Sequence, residues 1–138
     1  TRNVGSTRLI VPHVGQGSGA FVVDGAGAIA FDAGPDSSGA LSRALRDLGI
    51  PRIDLLVVSH WDLDHVGGLD SLIASGQVRG ILYGGEPVDE WMRDRKAAWC
   101  RELADGCRIG SEGLSLGVLD GLSLEIAHSN PTAPSENE

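Results

Sequence analysis

Positive charge is scarce in this chain. Its 138 residues carry 11 Lys and Arg against 19 Asp and Glu, a formal net charge of −8. Broad nucleic-acid affinity comes from Lys and Arg neutralising phosphates, so this balance excludes a surface that coats nucleic acid. It leaves room for an enzyme that meets a phosphate through metal ions. No apolar run approaches membrane-spanning length, and the N-terminus lacks the charged-then-apolar pattern of a secretory signal. A Walker-type lysine, a spaced Ser-His-Asp set, internal repeats and low-complexity blocks are all missing. A chain that opens on Thr1 instead of Met is expected to be a piece of something longer.

Cysteine is nearly lacking as well, with only Cys100 and Cys107. Without a second pair they make no zinc ribbon. A helical cysteine followed by one in a strand reads as two buried thiols in preference to a disulfide.

What is present suits a globular domain: 41% hydrophobic residues over a length able to bury a core. Residues 1–138 read as one domain or part of one, with a loop or frayed tail over 129–138. Arg8 to Val14 is a loose first strand. Ala20 to Asp24 and Ala28 to Asp32 form a hairpin through Gly25-Ala26-Gly27. Ser37 or Ser38 can cap a helix with Leu41, Ala44, Leu45 and Leu48 on one face, ended by Gly49. A strand follows at Ile53 to Val58, then a polar loop, a helix from Leu69 to Ala74 and a strand from Val78 to Tyr83. Glu86 to Ala104 is the longest helix, closed by Asp105-Gly106. Short strands near Leu114 to Leu119 and Leu122 to Ala127, turning at Asp120-Gly121, complete an α/β pattern with mixed strand directions.

The chemistry concentrates in the loop after the fourth strand, Ser59-His60-Trp61-Asp62-Leu63-Asp64-His65. Imidazole and carboxylate donors in clusters are how proteins hold Zn²⁺ or Mn²⁺. A chance match to His-x-Asp-x-Asp-His in a chain this long has odds on the order of 10⁻⁴ at average residue frequencies. In an extended segment His60, Asp62 and Asp64 point the same way, and His65 can swing in from the turn that follows. Two metals could share the group, with missing ligands supplied from elsewhere.

Other features weigh less. Gly15-Gln16-Gly17-Ser18-Gly19-Ala20 fits a loose dinucleotide-binding pattern, but a strand follows it where that pattern needs a helix. Asp32, at a strand end before Gly34, is either an ordinary turn residue or a carboxylate that orients a ligand histidine. Arg93, Arg95, Lys96 and Arg101 read as a solvated helix face. Trp91, Met92, Trp99 and Leu103 read as that helix's core-facing stripe, and His13 and His128 as core or rim histidines.

His60-Trp61-Asp62-Leu63-Asp64-His65-Val66-Gly67-Gly68 resembles the signature loop of the metallo-β-lactamase fold superfamily. It looks like the branch with Asp in place of the usual second His, as in the C-terminal domain of ComEC-type DNA-internalisation (competence) proteins. Val14-Gly15-Gln16-Gly17, Ile29 to Gly34 and Ile53 to Ser59 are similar to that branch's other motifs. A weaker similarity runs through Leu124 to His128 and Ser135-Glu136-Asn137. The chain departs from the branch at His13 and at Ser18-Gly19, where Asp is common.

The resemblance implies the N-terminal half of an αβ/βα sandwich with a mixed sheet, and two divalent metal ions, Zn or Mn. His60 and Asp62 would serve one ion and Asp64 and His65 the other. Asp64 would also orient the attacking water, and Asp32 would support the ligands from behind. The family's later ligands, in Gly-Asp and His-His-Gly stretches, have no counterpart up to Glu138. The chain alone is therefore expected to be weak or inactive, with an exposed sheet face awaiting the second half or a homodimer partner.

The implied activity is hydrolysis of a phosphodiester, as in DNA. A thioester, lactone or other ester remains open, and Asp62 argues against an antibiotic-degrading role. The rival reading is a non-catalytic, partner-binding half-domain. The compartment would be extracytoplasmic for a competence domain and cytoplasmic for a free-standing hydrolase.

Overall fold

The computed structural model describes residues 7–10, 19–24, 27–34, 39–110, 114–119 and 122–125. Three antiparallel strands lead: β1 (Thr7–Ile10), β2 (Gly19–Asp24) and β3 (Gly27–Ala33). Their register pairs Asp24 with Gly27, which places the expected hairpin where the glycines lie. Residues 25–26 of its turn, the Ser37/Ser38 cap, His13 and His128 fall outside the described residues. Because β2 runs directly on from Gly19, the dinucleotide reading of that glycine segment fails as anticipated.

From β3 onward the sheet is parallel, through β4 (Leu55–Val58), β5 (Gly80–Tyr83) and β6 (Gly106–Ile109). The six strands lie in sequence order, and with β1–β2 and β2–β3 antiparallel and the other three pairings parallel the sheet is mixed. β6 adds a strand to the order read from the sequence. A separate antiparallel pair, β7 (Ser115–Leu119) and β8 (Leu122–Glu125), stands where two short strands were expected.

The parallel strands are joined by α1 (Ala40–Asp47), by α2 (Leu63–Val66) with α3 (Leu69–Ala74), and by α4 (Glu90–Glu102). Strands added one after another in a single direction by right-handed crossovers put all their helices on one face. Accordingly α3 packs between α1 and α4. Phe21, Val23, Ala28, Ala30, Leu56, Val58 and Ile81 point into that layer and meet Leu41, Leu45, Leu69, Leu72, Met92 and Trp99 in one core. The pleat sends their neighbours the other way. On this second face Ile29 and Leu82 are buried, while Val22, Phe31, Leu55 and Val57 are only half-buried.

Two helical stripes differ from expectation. Leu48 does not join Leu41 and Leu45 in the core. It is 45% exposed as the C-cap of α1, and Ser42 is buried instead. Trp91 likewise leaves the stripe of Met92, Trp99 and Leu103 and is 54% exposed. One residue is a 100° rotation on a helix, so Trp91 cannot face the core alongside Met92. It stacks against Arg95 one turn on, with the guanidinium 4.9 Å from its ring centroid.

The cysteine expectation is overturned. Cys100 at the end of α4 and Cys107 in β6 form a disulfide across a Cα–Cα distance of 5.3 Å. The chain reverses between them through Gly106, whose φ of +67° suits a residue without a Cβ. That reversal brings two cysteines seven apart in sequence within bonding reach.

Candidate metal centre

β3 and β4 are parallel neighbours, so their carboxyl ends open on the same edge of the sheet. Asp32 sits at the end of β3, and Ser59 to His65 follow β4 directly. The sheet thereby places the two segments side by side.

Asp32 has left the extended conformation. Its φ is +61°, and among the described residues no other non-glycine has a positive φ. Asp tolerates that region better than most residues. The turn buries Asp32 to 4% exposure. Oδ1 accepts the Ser59 backbone N–H at 2.8 Å and Oδ2 accepts the Ser59 hydroxyl at 2.6 Å. The same Oδ2 lies 3.0 Å from His65 Nδ1. A carboxylate can only accept, so the His65 proton sits on Nδ1 and the Nε2 lone pair is left for a Lewis acid. Asp32 therefore holds the His65 ring and the start of the loop together.

The loop itself differs from the extended model. Asp62 is still extended, with φ −78° and ψ 151°, but Leu63–Val66 form a helical turn. Backbone bonds from Val66 N to Asp62 O and from Gly67 N to Leu63 O, at 3.0 and 2.8 Å, close it. Strand alternation therefore does not align the ligand-type residues. The turn carries His65 back to within 5.1 Å of the His60 ring, edge to face. Asp62 makes no side-chain cap bond to the turn that it precedes. The Asp64 side chain lies outside the described set.

Three anchors hold the loop. Ser59 is tied to Asp32, and Gly68 N donates to Gly34 O at 3.2 Å. Trp61 is buried to 8% exposure, and its indole N–H donates to Gly85 O at 2.6 Å. Its ring meets Tyr83 edge to face at 5.6 Å. Lys96 Nζ lies 3.9 Å from the Tyr83 ring centroid and also bonds Glu86, which accepts the Tyr83 hydroxyl at 2.9 Å. Lys96 is thus 15% exposed and does not belong to a solvated helix face. Burial by itself pushes the Glu86 carboxyl up. The hydrogen bonds from Lys96 and Tyr83 and the charges of Lys96 and Arg93 outweigh it and hold the group below its usual range. Sequence reasoning passed over Ser59 and Trp61 as supports. Their one signal was position, flanking the first histidine of the motif.

The donor chemistry suits a divalent ion: two imidazoles approach each other, one of them oriented by a carboxylate, with Asp62 on the same loop. Among the described residues no three His, Cys, Asp or Glu side chains gather closely enough to enclose one.

A mixed sheet with helices on one face, and a His-Asp loop at its carboxyl edge braced by a strand-end Asp, define an α/β protein with its candidate site at the carboxyl ends of β3 and β4. Residues 13–135 match the Metallo-beta-lactamase superfamily, and the chain belongs to it. Members of that superfamily generally bind divalent metals, typically zinc. A solved structure described as a new diphosphatase from the PhnP family is similar at 20% identity and a TM-score of 0.46. The match covers 72% of this chain and 38% of that one, so the chain spans well under half the length of its structural neighbour. No curated protein matches the chain.

Proposed function

We propose that the chain is part of a metal-dependent hydrolase that cuts phosphodiesters, of the kind associated with DNA uptake. The observation that carries the metal reading is the Asp32 carboxylate on His65 Nδ1. It fixes the tautomer whose other nitrogen can bind a metal. The phosphodiester part rests on the motif itself, with Asp62 where a second His is more usual, and on its resemblance to the competence branch.

In this reading His60, Asp62, Asp64 and His65 hold two divalent ions, Zn or Mn. When bound, such ions supply Lewis acidity toward a phosphoryl oxygen and acidify a water for attack. The protein's own residues do the rest. Asp32 keeps the His65 proton on Nδ1, and Ser59 keeps Asp32 in place through two hydrogen bonds. Trp61 packs behind the loop, excludes water from its inner side and fixes the backbone between His60 and Asp62. Asp64 would orient the attacking water.

Four side chains shared between two ions leave each short of a full set, so further donors are needed. The half-buried face bearing Val22, Phe31, Leu55 and Val57 is the surface we assign to the element that brings them, a second half-domain or a homodimer partner. That apolar face would gain by being covered. The experiment is calorimetry and metal mass analysis with Zn²⁺ and Mn²⁺ on the wild type and on Asp64→Ala/His65→Ala. Assays of a phosphodiester ester and of DNA follow, with and without an added second half. We expect weak binding by the chain alone, lost in the double variant, and turnover only on complementation. Unchanged metal binding in the double variant would sink the assignment of the loop. Metal binding without turnover in the complemented form would favour the partner-binding half-domain.

A further inference from the structure

Outside the motif loop, α1 and α3 leave between them a hollow of about 380 Å³, lined chiefly by Gly39, Ser42, Arg43, Arg46, Ser71 and Ser75. In a chain of net charge −8, this lining holds two arginines and, among the described residues, no carboxylate. Arg43 and Arg46 are three apart on α1 and so share a face.

The floor is organised. Ser42 and Gln77 are 4% and 5% exposed, polar groups buried under an otherwise apolar layer. The Ser42 hydroxyl donates to Gln77 Oε1, the Ser75 hydroxyl donates to the same oxygen, and Gln77 Nε2 returns a bond to the Ser42 carbonyl at 3.3 Å. Arg46 is tethered to this network by one N–H, donated to Ser42 Oγ at 3.2 Å. A guanidinium carries five N–H donors, so this tether uses one of Arg46's five. Arg43 need not be unengaged, because the same donor count lets one guanidinium serve a protein partner and a ligand together. Gly39 heads α1 without a side-chain cap, so the positive end of the helix dipole lies at that end of the hollow, while Arg46 stands in the last turn.

We propose that this hollow binds a phosphate group, either inorganic phosphate or the phosphate of a small ester, at a place separate from the metal loop. Two guanidinium groups, with the Ser71 hydroxyl beside them, match an oxyanion that offers several acceptor oxygens in different directions. No motif residue lines the hollow, so the proposal stands apart from the hydrolase reading and can fail independently of it.

The test is an amide NMR titration of the whole chain in the presence of a chelator, at constant ionic strength. The probes are inorganic phosphate, glycerol phosphate and chloride. We expect saturable shifts at Arg43, Arg46 and Ser71 with a phosphate probe and none with chloride. Whichever of the two phosphate probes binds more tightly identifies the source. Arg46→Gln should weaken binding about tenfold, as loss of charge-assisted bonds does, and Arg43→Gln/Arg46→Gln should weaken it further. Arg46 touches the buried network, so Ala74→Glu gives a second arm. Ala74 is exposed on the same wall, and a carboxylate there should abolish binding without shifting the melting temperature. Equal shifts with chloride, no saturation with either phosphate probe, or unchanged affinity in the double variant or in Ala74→Glu would overturn the proposal.

Discussion

Replacing Asp32 by Asn separates orientation from stability. Asp32 accepts three hydrogen bonds, at 2.8, 2.6 and 3.0 Å, from a backbone amide, a hydroxyl and an imidazole. Asn keeps the shape and tolerates φ +61°. Its Oδ1 can still accept the Ser59 amide, and the Ser59 hydroxyl can turn to accept from the new NH₂. His65 has no such freedom. To meet a donor, Nδ1 must lose its proton, which moves to Nε2 and removes the lone pair offered to a metal. The expected result is a stability loss of about 1–2 kcal/mol and a fall in metal affinity of about 10- to 100-fold. Asp32→Ala differs in kind. It orphans a backbone N–H and puts Ala in a left-handed conformation, for a loss of about 4 kcal/mol. Urea denaturation measures the stability, calorimetry the affinity, and the nitrogen shifts of His65 report the tautomer directly. A His65 that keeps its proton on Nδ1 in Asp32→Asn, with metal affinity intact, would refute the reasoning.

Trp61→Phe should keep most of the packing but strand Gly85 O, for a loss of about 1–2 kcal/mol in urea denaturation; no loss would mean that the 2.6 Å bond contributes nothing. Cys100→Ser opens the short loop closed by the disulfide and should cost about 2–3 kcal/mol, with a reductant acting alike on the wild type but not on the variant. Glu86 titrates below its ordinary 4.5 in the folded chain, so its contribution is fully present above that pH and is lost as pH falls through the lowered value. Glu86→Gln should flatten the acid limb of the stability profile slightly, because the group is 55% exposed and screened. An unchanged acid limb would show that the Lys96 and Tyr83 contacts do not persist in solution.

The sequence by itself determined the frame. Alternating and continuous apolar runs placed β2 to β5, and the three-to-four spacing placed α1, α3 and α4. These patterns are legible because each element must bury one face against the same core. The candidate loop was legible from residue chemistry alone, since four ligand-type side chains within six residues have few other uses. Tertiary structure decided what depends on contacts between distant segments. Ser59 and His65 meet Asp32 from 27 and 33 residues away, and only the parallel pairing of β3 with β4 brings those ends together. Lys96 leaves solvent for the Tyr83 ring because α4 packs where it does. Local strand alternation misplaced the loop's donors because a helical turn, closed by backbone bonds, takes over at Leu63. Cys100 and Cys107 read as thiols from spacing, yet the reversal at Gly106 sets their Cα atoms 5.3 Å apart. Periodicity reports which face of an element is buried. It carries no information about which distant side chain will be found there.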